Sequence, residues 1–426
     1  MNVTQTTELA VGPTKYRRAV AGMDAAAPGE VARGSQIWPV ATALLVLGGL
    51  SMAILQSAGV RLVLLLWIGA GLGLALSHAA FGFAAGYRVF LRSGNSGHVR
   101  AQILMLGLAV ALFYPALSTG SVLGQPVRGF IFPIGIELIS GAFIFGIGMQ
   151  IAGGCGSGTL YTVGGGSVRM VVTLLFFIVG ATGAAWSWES WSGLPRLPSV
   201  SLPGSIGVAG ALAAQLGLLA ALWWIAARRE RILTGDVASI WRRDRQHTRA
   251  ASLLRGPWPY GWAALALAGL AFLTLVLSGR PWGITQALAL WGSWAVERGG
   301  FDDPHFWPFW EDPTRVDLLP RAALADVTTL MNIGVALGAL AATGLAGAFR
   351  LRWRLTAGEL SSAVIGGLLL GFGAIMATGC NISALFGGVA SGSLHGWVWL
   401  VAALAGSAIG IRLRPVFGLY DRKALP

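Results

Sequence analysis

Charge is scarce in this sequence. Lys, Arg, Asp and Glu make up 11% of its 426 residues, against 55% hydrophobic residues. A soluble globular domain carries about 25% charged residues, so that class is excluded. Cysteine is scarcer still: there are two, Cys155 and Cys380, in separate halves of the chain. They make no disulfide framework. With five histidines and no spaced set of His, Cys and acids, a zinc site is not expected, and His78 and His395 read as interfacial or packed. "GGCGSGT" (153–159) resembles a phosphate loop only until the Gly-Lys-Ser/Thr ending, which is missing, so ATP hydrolysis is not expected. Residues 1–37 are polar, with Lys15, Arg17 and Arg18 and no short apolar core, so the first apolar stretch is expected to act as an uncleaved signal. Short alternating strands are absent, which excludes a membrane barrel.

What the chain does have is long apolar runs. They cover 38–56, 62–83, 103–117, 130–151, 170–188, 206–226, 258–277, 323–345, 360–376 and 397–411. A bilayer needs about 20 apolar residues as helix, and lipid admits only helices or closed barrels. The expected class is therefore an all-α polytopic membrane protein. A shorter run, 282–294, follows Pro281 and is the natural re-entrant segment. Glycine numbers 62. In a membrane, small residues let helices approach closely, so the pairs Gly69/Gly73 and Gly82/Gly86 read as packing positions.

The net charge of +13 lies mostly in short loops beside apolar runs, with eight arginines between 228 and 255. That placement is the positive-inside pattern. It points to membrane lipid, with no nucleic acid among the partners.

The two cysteine segments align. "FGIGMQIAGGC" (145–155) matches "LGFGAIMATGC" (370–380), pairing Gly146 with Gly371, Gly148 with Gly373, Gly154 with Gly379 and Cys155 with Cys380. "AFGFAAGYRVFL" (80–91) matches "PWGITQALALWG" (281–292) more faintly. The chain thus divides into a tail (1–37), a first repeat (38–190), a linking helix and basic loop (191–257), a second repeat (258–412) and a second tail (413–426). Loop 85–100 is basic, while its counterpart 297–321 carries six acids and three arginines. Matching loops of opposite charge character imply an inverted-topology repeat, with both tails cytoplasmic and broken helices meeting near the bilayer midplane.

In each half an apolar run ends in Gly-Cys followed by small polar residues: Gly154, Cys155, Gly156 and Ser157; Gly379, Cys380 and Asn381. Such residues break one helix and start another. Freed N–H groups at the new N-terminus suit a small anion without a buried Lys or Arg. A thiol is a weak, polarizable donor, matched to sulfur or selenium. Tyr161 is placed along the same path or as an anchor beside it. Glu137 and Glu359 each precede a cysteine-bearing helix and serve as caps or as proton-coupling groups. A membrane-embedded sulfurtransferase-like protein carrying a cysteine persulfide is the alternative from another class. It wants a nearby base, and the nearest histidine, His395, is fifteen residues beyond Cys380. A structural or partner-binding membrane protein is the third possibility. No catalytic residue, metal or cofactor is expected on the transport reading.

"GIGMQIAGGCGSGTLY", "PWGITQALALWG" and "LGFGAIMATGCNISALFGG" resemble the signatures of the YeeE/YedE, or sulfur-transport, family of bacterial inner-membrane proteins. The resemblance covers most of 40–412. It implies uptake of a small sulfur-containing anion, thiosulfate being the substrate class, through an inverted-repeat hourglass with cysteines along a narrow central path. Carried over, Cys155 and Cys380 would line the constriction. A cytoplasmic sulfur-carrier protein is an expected recipient. Thiosulfate importers of the family often carry a further cysteine near the start of a half; "FGFAAG" (81–86) and "WGITQA" (282–287) have none. Some relatives are associated with selenium metabolism instead.

Overall fold

The computed structural model describes residues 35–242 and 253–420. Most of the first expected tail, the middle of the basic loop and the last six residues lie outside them.

Thirteen helices carry the fold. The first seven are α1 (Ile37–Ser57), α2 (Val60–Ala79), α3 (Phe83–Ser93), α4 (Gly97–Ser118), α5 (Ile136–Ala152), α6 (Gly156–Gly164) and α7 (Val168–Trp186). They continue as α8 (Leu202–Thr234), α9 (Tyr260–Ser278), α10 (Thr285–Arg298), α11 (Val327–Leu345), α12 (Ala357–Met376) and α13 (Leu394–Leu413). A π-helical turn, Asn381–Gly387, follows α12. Strand structure among the described residues amounts to two small ladders, Ser121–Val122 with Gln125–Pro126 and Ile134–Gly135 with Arg196–Leu197. Ten helical stretches are long and apolar enough to cross a membrane. The chain is a multi-pass helical membrane protein.

Two runs differ from the sequence reading. The run at 130–151 becomes helical only at Ile136, because Pro133 lacks an N–H and pushes the residue before it into an extended conformation. The run at 206–226 belongs to a longer helix that begins at Leu202 and breaks at Ile206 and Gly207. Ser201 starts it by accepting a hydrogen bond from the Gly204 N–H at 3.3 Å.

Small residues set the packing, as the glycine content implies. A Cβ on Gly69 or Gly73 would sit 2.9 Å from Met331 Cα or 2.8 Å from Val335 Cα, so α2 and α11 touch backbone to backbone. The aligned glycines repeat this in pairs. A Cβ on Gly146 of α5 would sit 2.9 Å from Ser407 N on α13, and one on Gly371 of α12 would sit 2.7 Å from Gly180 C on α7. A Cβ on Gly148 would sit 2.9 Å from Leu370 N on α12, and one on Gly373 would sit 2.7 Å from Phe145 N on α5. Each cysteine-bearing helix therefore packs on the other, and on the membrane-length helix beyond the other's cysteine turn. Apolar side chains face outward where lipid would lie, with Leu45 75% exposed on α1 and Val401 70% exposed on α13.

Some of the charges inside this shell are held by partners. Arg100 and Glu230 form an ion pair at 3.4 Å, with side chains 7% and 2% exposed. Arg169 donates to Ile151 O and to Ser362 Oγ, both at 2.9 Å. The first of these bonds satisfies a carbonyl at the end of α5.

Candidate functional site

Both helix breaks occur where the sequence places them, and they have the same backbone form. Cys155 caps α6 with φ −92° and ψ −167°. Cys380 caps the π-helical turn with φ −101° and ψ −168°. Each carbonyl accepts the first bond of the new helix, from Thr159 N at 2.8 Å and from Ala384 N at 2.9 Å. Two residues ahead of each cysteine the chain is left-handed, at Gly153 (φ 87°) and at Thr378 (φ 60°). Gly379, with φ 147°, takes a conformation that only glycine adopts without strain. The sharp turn swings each thiol off its helix axis into the interior.

Both thiols are fully buried and unbonded to each other. Each is attended by a serine. Cys155 Sγ lies 3.5 Å from Ser157 Oγ. Ser383 Oγ donates to Cys380 Sγ at 3.8 Å and accepts from Cys380 N at 3.0 Å. The two turns meet. A Cβ added to Gly156, directly after Cys155, would lie 3.1 Å from Cys380 Sγ and 3.4 Å from Ile284 Cγ2. Gly154 backs onto Thr159, with 3.3 Å between its Cβ position and Thr159 N. Asn381 Nδ2 donates to Tyr87 OH at 3.4 Å. Tyr161 OH lies 3.2 Å from the Cβ position of Gly82.

Several polar atoms around the turns are buried without a hydrogen-bond partner: Thr159 Oγ1, Thr378 Oγ1, Asn381 Oδ1 and Asn332 Oδ1. Buried polar atoms are rarely left unsatisfied. Here they lie on or against the two turns; the hydroxyls of Thr159 and Thr378 can donate to a ligand with oxygen atoms, whereas the amide oxygens of Asn381 and Asn332 can only accept. No group of three His, Cys, Asp or Glu side chains among the described residues could hold a metal ion.

A cavity of about 410 Å³ leads to this centre. It opens at the acid-rich end of the molecule, among Trp188, Arg196 and Asp312, and reaches Thr378, Ser383 and Ile284 beside Cys380. Arg280 and Arg315 also line it, and Arg315 is paired with Asp312 at 3.0 Å. Burial pushes the Asp312 carboxyl up, but hydrogen bonds from Thr314 and the Arg315 charge outweigh it and hold the group below its ordinary value.

The two acids singled out from sequence part company. Glu359 closes a capping box with Thr356 at the start of α12, its Oε2 accepting from Thr356 N at 2.9 Å. Glu137 makes no cap bond. It lines the cavity, and its Oε2 is buried without a hydrogen-bond partner. His395 sits fully buried against Ser393, 2.7 Å from Nδ1 to Oγ, and against the Phe132 ring.

Residues 78–409 match the sulphur-transport family. The chain belongs to that family. Among its relatives is the thiosulfate transporter TsuA of Spirochaeta thermophila, 29% identical over 350 residues, covering 80% of this chain and 96% of the relative. The probable transporter YedE of Escherichia coli is 31% identical over 143 residues, 33% of this chain and 34% of that protein. YedE of Salmonella typhimurium is 29% identical over 174 residues, covering 40% and 42%. These sulphur-transport relatives are named as transporters, in keeping with a chain that is not an enzyme.

The faintly matching segments of the two halves turn out to be part of the site. Phe83 and Ile284 occupy equivalent positions in "AFGFAAGYRVFL" and "PWGITQALALWG". The backbone at Phe83 is within hydrogen-bond reach of Cys155, and Ile284 lies against Gly156. Both side chains are buried, in the two segments near the starts of the halves that carry no cysteine. Sequence reading did not assign roles to Phe83, Ile284, Tyr87 or Arg280, and took Thr159 and Ser383 only as members of the small polar stretches that break the helices. The alignment of 80–91 with 281–292 was the signal for the first two. Nothing local in the sequence marks Arg280.

Proposed function

We propose that this protein takes up a small sulfur-containing anion, thiosulfate or a closely related sulfur or selenium species, along a central path lined by Cys155 and Cys380. One observation carries the reading: two buried thiols, each capping a new helix and each held by a serine, meet at Gly156 beneath a cavity. Gly154, Gly156 and Gly379 keep the backbone close to the path. Ser157, Asn381 and Tyr161 supply polar groups along it. Thiol S–H and backbone N–H donors bind an anion weakly enough to release it, as conduction requires. The paired glycine contacts and matching cysteine dihedrals support two related halves of opposite topology, with the breaks near the bilayer midplane.

In this arrangement the basic end and both tails face the cytoplasm of a bacterial inner membrane, and the cavity faces outward. A cytoplasmic sulfur-carrier protein is the natural recipient of the imported sulfur. The similarity to the thiosulfate transporter TsuA makes thiosulfate the first anion to test. The deciding experiment is uptake of labelled thiosulfate into cells lacking their own sulfate and thiosulfate importers. The chain is compared with Cys155→Ala and Cys380→Ala at matched membrane expression. Uptake by the intact chain, abolished in either variant, is the expected result. Uptake that survives both substitutions overturns the thiol-lined path. If the intact chain takes up no thiosulfate but a selenium analogue, the species changes and the path stands.

A further inference from the structure

We propose that Arg280 forms an outer anion subsite: its guanidinium binds the oxygen end of the substrate while the sulfur end turns towards Cys380. The inference rests on the transport reading above. It adds the class of ligand selected, an anion with a hard oxyanion at one end and a soft sulfur or selenium atom at the other.

Arg280 is built into place. It follows α9 in the short turn that leads to Ile284 and α10. Ser278 Oγ donates to its carbonyl at 2.8 Å. Its Nη1 donates to Gln286 Oε1 at 3.0 Å, and its Nη2 to Thr328 Oγ1 at 2.8 Å. Both acceptors are neutral, so they fix the guanidinium without cancelling its charge. Among the described residues no carboxylate forms an ion pair with it. Asp326, the acid that acts on it electrostatically, is engaged as a helix cap, its Oδ2 accepting from Thr329 N at 2.7 Å.

Its position makes that charge useful. Arg280 lines the cavity that reaches Ser383 and Thr378 beside Cys380. Of the other cations there, Arg315 is paired with Asp312, and Arg196 lies exposed at the mouth. The loop over this end, 297–321, carries six acids and three arginines, which disfavours a dianion. A half-buried, unneutralised guanidinium below that loop reverses the sign of the local field. Its planar donors suit an SO₃-like end and do not suit a bare sulfur. Glu137, in the same cavity, opposes the attraction and keeps binding from becoming too tight for release.

The test is the KM and Vmax of labelled thiosulfate uptake for the intact chain, Arg280→Gln and Arg280→Lys. Loss of one charge-assisted contact should raise KM roughly tenfold in Arg280→Gln, with Vmax within about twofold. Arg280→Lys keeps the charge and should recover most of that loss, which a merely structural role would not. The KM of the intact chain should also climb as ionic strength rises from roughly 20 to 200 mM. An unaltered KM in Arg280→Gln overturns the subsite while leaving the transport reading intact. Should that variant fail to reach the membrane, a KM indifferent to salt together with wild-type KM in Arg280→Met overturns it. If the intact chain transports no sulfur or selenium species at all, both readings fall; if it transports only one without an oxyanion end, the subsite alone falls.

Discussion

Substituting Gly156 by alanine probes the junction of the two cysteine turns with one methyl group. Gly156 is the first residue of α6 and has no left-handed φ, so alanine fits the backbone. The added carbon meets Cys380 Sγ at 3.1 Å, Ile284 Cγ2 at 3.4 Å and Cys380 Cβ at 3.5 Å. The sulfur contact is short by a few tenths of an ångström, and such crowding in a packed site costs about 1 kcal/mol. Replacing a helical glycine by alanine returns roughly 0.5–1 kcal/mol. Stability should therefore move by less than about 1 kcal/mol, and the protein should reach the membrane at normal levels. Transport should respond quite differently. One extra methyl in a fitted site discriminates by roughly 10–200-fold, and here it presses on the Cys380 thiol from the turn that carries Cys155. Labelled-anion uptake, set against thermal unfolding of the purified protein in detergent, separates the two effects. Wild-type uptake by a stable Gly156→Ala protein would show that no ion passes between Gly156 and Cys380.

Two further substitutions test local assignments. Glu359→Ala removes the capping box of α12 and should lower stability by about 1 kcal/mol while the pH profile of uptake stays that of the intact chain. A pH profile that differs from the intact chain's would instead make Glu359 a coupling group. Thr378→Gly relieves a left-handed threonine whose buried hydroxyl lacks a partner. Relief of about 1–2 kcal/mol, less the greater unfolded-state freedom of glycine, leaves a net gain of a few tenths to 1 kcal/mol and a melting temperature higher by roughly 1–2 °C. A fall in melting temperature would mean that the threonine makes a favourable contact there.

Much of this architecture was already written in the sequence. Ten apolar runs mark the ten membrane-length helical stretches, because a bilayer demands length and hydrophobicity of every crossing segment and demands them locally. The cysteine turns were legible for a similar reason: Gly-Cys followed by small polar residues is a local instruction to stop one helix and begin another. The capping role of Glu359 was legible as one of two options, since its partner Thr356 is only three residues away. Helix starts were less so. Pro133 delays α5, and Gly207 breaks α8, although apolar composition runs straight through both.

What the sequence could not decide is which residues meet. Cys380 against Gly156 joins residues more than two hundred positions apart, and Asn381 with Tyr87 joins two separated by 294. Those distances depend on how glycine faces on α5, α7, α12 and α13 interlock, a property of close backbone approach that no single segment encodes. The same holds for Arg280. In the sequence it is one arginine in a loop. Only the fold brings it to Gln286 and Thr328, withholds a carboxylate from it and turns it into a cavity above the thiols. Segment-level physics set the helices and their breaks, because burial in lipid and backbone conformation act over a few residues. Packing between distant helices made the site, because charge compensation and contact between the two turns exist only in three dimensions.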